Sequence, residues 1–304
     1  MKQTKKLIAL LLAMIMMFCL TGCDGLFGVK MTRAALKMQK LQSLRSDITS
    51  DLGLNVTLMG EGLDLDMTAS GTVDVILSPL QVKADLTLNM LDENVDTLSY
   101  LEQKGDKLLI YSSADKGETW SRTEVDASSL AENGKMDTKS LTQLAKLANS
   151  FEEVGTEMVK GSEATIYSGK ITGADLASSG DLDAVVDSIG DGTGSGIDLS
   201  ALDFSNVGDI PLTVGIDKES GMVVKCGIDL TSLMQAVLPV ALDAAMKTAM
   251  ADGALGEMGG LGLDALGLQL NLNKLTVDAE LYDFDAVSEI VIPDAALNAV
   301  DIAA

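Results

Sequence analysis

A chain of 304 residues without one histidine lacks the side chain that most often acts as general base and transition-metal ligand. Three cysteines, Cys19, Cys23 and Cys226, are the remaining soft nucleophiles. Carboxylates are plentiful, with 45 Asp and Glu against 22 Lys and Arg, yet none stands beside a nucleophile or base at a recognisable spacing. The run Gly190-Asp191-Gly192-Thr193-Gly194-Ser195-Gly196 has the glycine density of a phosphate-cradling loop. It lacks the Gly-Lys-Ser/Thr ending that carries charge to phosphate, and no buried strand delivers it, so it reads as a surface loop. Asp181, Asp183, Asp187 and Asp191 do not fall at alternating loop positions closed by Glu, which rules against a calcium loop. Trp120 reads as an aromatic covering a hairpin or sheet edge, and Cys226 as a thiol packed within a strand. No catalytic residue, metal ligand set or cofactor site follows.

The chemistry that the sequence does specify lies at Cys23. Lys2, Lys5 and Lys6 precede an apolar run from Leu7 to Leu20, the length of a signal-peptide core and too short for a comfortable membrane span. Leu20-Thr21-Gly22-Cys23 then resembles the lipobox of bacterial lipoproteins. The resemblance implies that residues 1–22 are a lipoprotein signal peptide, with Leu20, Thr21 and Gly22 recognised by the signal peptidase. It implies a diacylglyceryl group on the Cys23 sulfur, palmitate being a typical acyl chain, and two acyl chains suffice for stable anchoring. Residues 23–30 are then a lipidated tether and residues 31–304 a single domain, held at the extracytoplasmic face of a cell membrane, in the style of a Gram-positive surface. Cleavage removes three lysines and no acid, which moves the formal charge from −23 to −26. Such a surface repels nucleic acid and anionic headgroups, so the membrane is a partner only through the lipid on Cys23. Cys226 has no second cysteine in the mature domain with which to form a disulfide.

The domain must build its core from aliphatic side chains, because the whole chain has only 5 Phe, 4 Tyr and 1 Trp beside 16 Met. A helix is expected over Arg33 to Leu44, with Ala34, Leu36 or Lys37, Met38, Leu41 and Leu44 near one face. Period-two alternation follows: Ile48, Ser50, Leu52, Leu54, Val56 and Leu58, then Leu63, Leu65, Met67 and Ala69, then Val82, Ala84, Leu86, Leu88 and Met90. Further strands are expected over residues 97–103, 107–112, 119–124, 152–160, 164–171, 212–217, 222–229 and 268–282. In the last of these the inward set slips by one residue, which predicts a bulge near Asn273-Lys274. Helices are expected over 140–149, from about 176 to 189, and over 231–250, the last apolar almost all round. The sum is α+β: one large, curved antiparallel sheet of about ten strands with helices packed on its concave face.

That order of elements, the closing Tyr282-Asp283-Phe284-Asp285 and Ile290-Val291-Ile292-Pro293, and the hairpin Asp115-Lys116-Gly117-Glu118-Thr119-Trp120 resemble the LolA/LppX-like lipoproteins and related Gram-positive surface lipoproteins. The resemblance implies a half-barrel closed by helices, and some members carry acylated lipids in the cavity. The expected function is therefore binding or carriage of a lipid or other apolar molecule between sheet and helices. Leu54, Val56, Leu65, Met67, Leu86, Leu88, Met234, Val237, Leu238 and Met246 are the expected lining, with Gly253 to Gly267 as a lid. Flexible Met suits irregular apolar guests. An ordinary filled core would use the same residues. The alternative function is a non-enzymatic interaction lipoprotein that presents its acidic surface to an envelope protein; an enzyme is the weakest reading.

Overall fold

Alternation of apolar and polar residues through the first half of the chain produces strands far longer than the usual five or six residues. In a computed structural model, which describes residues 26–58, 61–91, 93–126, 150–175, 204, 207–240 and 269–301, these are β1 (Ser43–Leu58), β2 (Glu61–Leu77), β3 (Leu80–Met90) and β4 (Glu93–Lys104). They continue into β5 (Lys107–Ser113) and β6 (Ser121–Asp126) as an antiparallel meander. A second meander follows: β7 (Glu152–Val159), β8 (Ser162–Ile171), β9 (Ile210–Asp217) and β10 (Val223–Asp229). Strand β11 (Gln269–Tyr282) joins the two by pairing with β1 on one side and β10 on the other. The short β12 (Val300–Asp301) runs parallel to β6 and completes a twelve-stranded sheet ordered β12-β6-β5-β4-β3-β2-β1-β11-β10-β9-β8-β7. Two residues leave no periodicity to read, which is why β12 was not expected. Right-handed twist accumulated over so many strands curls the sheet into an open half-barrel.

The expected bulge is present. Gly53 pairs with Lys274 and Leu54 with Leu272, so Asn273 is the unpaired extra residue of β11. Without it, every apolar side chain of β11 beyond that point would be turned to the wrong face of the sheet.

The described helices of at least four residues are α1 (Leu26–Met38), α2 (residues 231–240) and α3 (Asp294–Leu297). The first corrects the expectation. Helix α1 begins inside the segment read as tether and ends at Met38; Leu44 belongs to β1, and Leu36 is exposed. The residues that seat it are Phe27, Met31 and Ala34, buried against Tyr167, Val214, Ile216 and Val223 of β8–β10. Phe27 stacks on Phe151 with ring centres 4.6 Å apart and leans on Tyr167 at the same distance. Burying Phe27 and Met31 contributes roughly 1.5–3 kcal/mol each, which is why this helix forms without an acid in its first turn. The helix expected over 140–149, the rest of the one over 176–189, residues 190–196, residues 241–250 and the stretch 253–267 lie outside the described residues. Among those that are described, Thr172 and Asp175 cap each other reciprocally where a helical turn begins: the Asp175 carboxylate accepts from the Thr172 amide at 3.0 Å.

The sheet has one apolar and one polar face. Leu44, Ile48, Val73, Val75, Val82, Ala84, Leu86, Val277, Ala279 and Leu281 form the main core on the apolar face, which α1 and α2 also cover. Arg45, Asp47, Thr72, Asp74, Lys83, Asp278 and Glu280 alternate with them onto the other. There the C-terminal segment is strapped down. The Asp285 carboxylate accepts the Gln42 amide at 2.6 Å, and Ile290 and Ala296 pack against Tyr100, Leu109 and Tyr111.

The hairpin at Asp115 is held by its own side chains. Asp115 accepts hydrogen bonds from the Ser113 hydroxyl at 2.6 Å, the Thr119 amide at 2.9 Å and the Thr119 hydroxyl at 2.5 Å. Lys116 and Gly117 take positive φ, and the Trp120 indole donates to the Gly117 carbonyl while its ring lies 5.8 Å from Tyr100. Trp120 is thus a hairpin cover. The donors from Ser113 and then Thr119 hold the Asp115 carboxyl down to about 2, below its ordinary value near ~3.9. A depressed carboxyl stabilises the fold above its unfolded value and loses that effect as pH falls through its folded one. The Thr119 amide resonance is therefore expected to titrate with a midpoint near pH 2, and Asp115→Ala to abolish that titration; a midpoint near 4 would refute the staple.

Candidate functional site

Two surfaces have enough character to be sites, and they lie on opposite faces. On the polar face, Asp47, Thr49, Lys225, Asp278 and Glu280 line a shallow cleft of about 450 Å³. Its charges are already engaged with protein. Lys225 bonds both oxygens of Glu157 at 2.8 and 2.9 Å, and Asp47 accepts from Lys160, from the Tyr282 hydroxyl at 2.7 Å and from the Thr72 hydroxyl at 3.0 Å. Burial alone would raise the Asp47 carboxyl; the hydrogen bonds from Lys160, Tyr282 and Thr72 outweigh it and leave it below its ordinary value. Asp278 goes the other way, raised by burial and by the neighbouring Asp51 and Glu157 against the pull of Lys225 and Lys274. Nothing in this cleft pairs a nucleophile with a base. Among the described residues, no group of three carboxylate or thiol side chains is arranged to hold a metal ion.

The apolar face changes along its length. At one end it is solid, with Val73, Val75 and Ala279 each 1% exposed. Toward the far ends of β1–β4 it opens. Leu54 pairs with Leu65, Leu52 with Met67, Ala69 with Leu88 and Met67 with Met90, so these side chains stand side by side on one surface. Leu54, Val56, Leu65, Met67 and Leu88 are only half-buried, and Leu63, Met90 and Val95 on the same surface are 55%, 44% and 37% exposed. Helix α2 borders this strip: the Gln235 side-chain amide donates to the Leu272 carbonyl at 2.8 Å, and the Thr231 hydroxyl accepts the Leu275 amide at 2.8 Å.

The expected lining residues therefore separate into groups. Leu54, Val56, Leu65, Met67 and Leu88 come together in the open strip. Leu86 sits in the solid core beside it. On α2, Val237 is buried, Leu238 is half-buried, and Met234 packs with Ile171, Leu212 and Leu275. Met246, like the expected lid, lies outside the described residues. Leu63, Met90 and Val95 were not among the expected lining; the same period-two parity points to all three.

Residues 30–252 match the family described as a family of unknown function, DUF6612. The chain belongs to that family. The DUF6612 match takes in most of α1, β1 to β10 and α2, and stops short of β11. A comparison of this DUF6612 chain with curated proteins finds no match. Among solved structures it is similar to the Mycobacterium tuberculosis lipoprotein LppX, at 15% identity and a TM-score of 0.39, covering 86% of this chain and 97% of that one. It is also similar to LprF from Mycobacterium bovis, at 14% identity and a TM-score of 0.37, over 86% and 93% of the two chains. A domain described as an outer membrane lipoprotein-sorting protein from Vibrio parahaemolyticus gives 9% identity and a TM-score of 0.16, over 80% and 87%. No helix among the described residues is long and apolar enough to cross a membrane.

Proposed function

We propose that this protein is a lipoprotein, anchored through Cys23 at the extracytoplasmic face of the membrane, that binds a lipid or other apolar molecule non-enzymatically against the open strip of its sheet. The observation that supports the reading is the contrast along one face. Residues of the same type and parity are sealed at the Val73–Ala279 end and left half-exposed at the Leu54–Leu65 end. Contiguous apolar surface of this kind is costly to leave in water and marks a binding surface. Leu, Val and Met offer no directional contacts, so the guest is held by area and shape. Each CH2 of an acyl chain withdrawn from water contributes about 0.8 kcal/mol.

The test is native mass spectrometry and lipid extraction of a soluble form that begins after Cys23. A bound apolar molecule is expected, and it should be lost from Leu54→Asp and Leu65→Asp, whose half-buried positions lie outside the solid core. A protein that carries nothing, alone or with added lipid, sinks the reading. Crosslinking of an envelope protein to the strip in place of lipid would favour the interaction lipoprotein instead.

A further inference from the structure

The open strip has a charge pattern of its own. Counting in register, Glu61 lies two residues before Leu63 on β2, and Glu93 two residues before Val95 on β4, so both carboxylates belong to the apolar face at its open end. Both are exposed, and Glu93 pairs directly with Met90. The basic residues nearest in register are Lys274 and Lys83, and both are on the opposite face. Lys274 is bonded there to Asp51 at 2.7 Å, and Lys83 lies between Asp74 and Tyr100 in the sheet. Among the described residues, the rim of the strip therefore carries acids and no base, on a protein whose formal charge is −23.

We infer that the occupant of the strip is a lipid whose head carries no net negative charge. This rests on the reading of the strip as the binding surface and adds to it the class of guest. An acyl chain laid on Leu54, Leu65, Met67 and Leu88 brings its polar end to the rim at Glu61 and Glu93. A phosphodiester there faces two carboxylates with no cation beside them among the described residues, whereas an uncharged glycerol or sugar head loses nothing. The long strands point the same way, because an extended apolar run suits chains and not a compact polar solute.

The full-length, acylated protein reconstituted in phosphatidylcholine vesicles provides the test. Two photoreactive probes are supplied in parallel, diacylglycerol and phosphatidylglycerol, with the same diazirine acyl chain, and labelled peptides are mapped. Labelling of β1–β4 strip peptides by diacylglycerol is expected to exceed that by phosphatidylglycerol by about tenfold, the discrimination that like charges at partly screened range supply. Glu61→Lys with Glu93→Lys should erase the preference, and Glu61→Gln with Glu93→Gln should reduce it. Equal labelling by the two probes, or a preference for phosphatidylglycerol, overturns the inference and leaves the binding reading standing. A preference unchanged in the lysine variant overturns the role given to the two glutamates. Absence of strip labelling by either probe overturns both.

Discussion

Cys23→Ala is expected to remove incorporated palmitate completely and to leave an uncleaved precursor. The sulfur of Cys23 is the only atom in the Leu20-Thr21-Gly22-Cys23 box that can take a diacylglyceryl thioether. If the lipid on Cys23 is the anchor, as proposed, its loss leaves the apolar run from Leu7 to Leu20 to hold the chain at a membrane. A domain of formal charge −26 after cleavage has no electrostatic attraction to anionic headgroups to take its place. A form carrying an ordinary cleavable leader ahead of Asp24 should therefore appear in the medium. Metabolic labelling with an alkyne palmitate, followed by fractionation, reads both effects. Label retained by Cys23→Ala would show that the acyl group is elsewhere.

Gly71→Ala carries the second large effect, on stability. Gly71 sits in β2 between Ile48 of β1 and Leu86 of β3, on the apolar face. A Cβ at this position would lie 2.0 Å from the Asp85 carbonyl oxygen and 2.8 Å from the Leu86 Cα. Those are backbone atoms of the neighbouring strand, so no rotamer change relieves the clash and β2 must part from β3. The expected loss is about 3 kcal/mol, at the top of the range for overpacked sites. Gly62 is the internal comparison. It lies in the same strand, but the nearest atom to its Cβ is 3.6 Å away, so Gly62→Ala should change stability by no more than about 0.5 kcal/mol. Urea unfolding of the two variants reads the difference directly, and equal midpoints would refute the close approach.

What could be read from the sequence followed from how many residues shared one period. Strands β1 to β3 were legible because unbroken alternation over 48–58, 63–69 and 82–90 leaves no helical alternative, and Asn273 was legible because a change of parity within a run has no other explanation. Helix α1 was placed too late. Leu41 and Leu44 continue the helical spacing beyond Met38, yet they serve the turn into β1 and the strand itself. Phe27 looked like tether because its burial depends on Phe151 and Tyr167, more than a hundred residues away. The candidate site shows the same limit. Ile48 and Leu54 occupy equivalent positions in one alternating run, yet Ile48 lies in the core cluster that Met38 of α1 joins and Leu54 lies in the half-buried strip. A residue's face is written locally, while its covering is a property of distant elements.

Helix α1 has its first residue, Leu26, three positions beyond Cys23, and Phe27 is already clamped into the sheet. On the proposed anchoring, three residue steps of at most roughly 3.5 Å each let the lipidated sulfur lie no more than about 10 Å from the start of α1. If the proposed anchoring and binding hold, a carrier on so short a leash would not ferry cargo across the envelope. It would stand on the bilayer surface and exchange its guest with the leaflet beneath it, at a speed set by lateral diffusion in the membrane plane and by the time a chain takes to leave the bilayer.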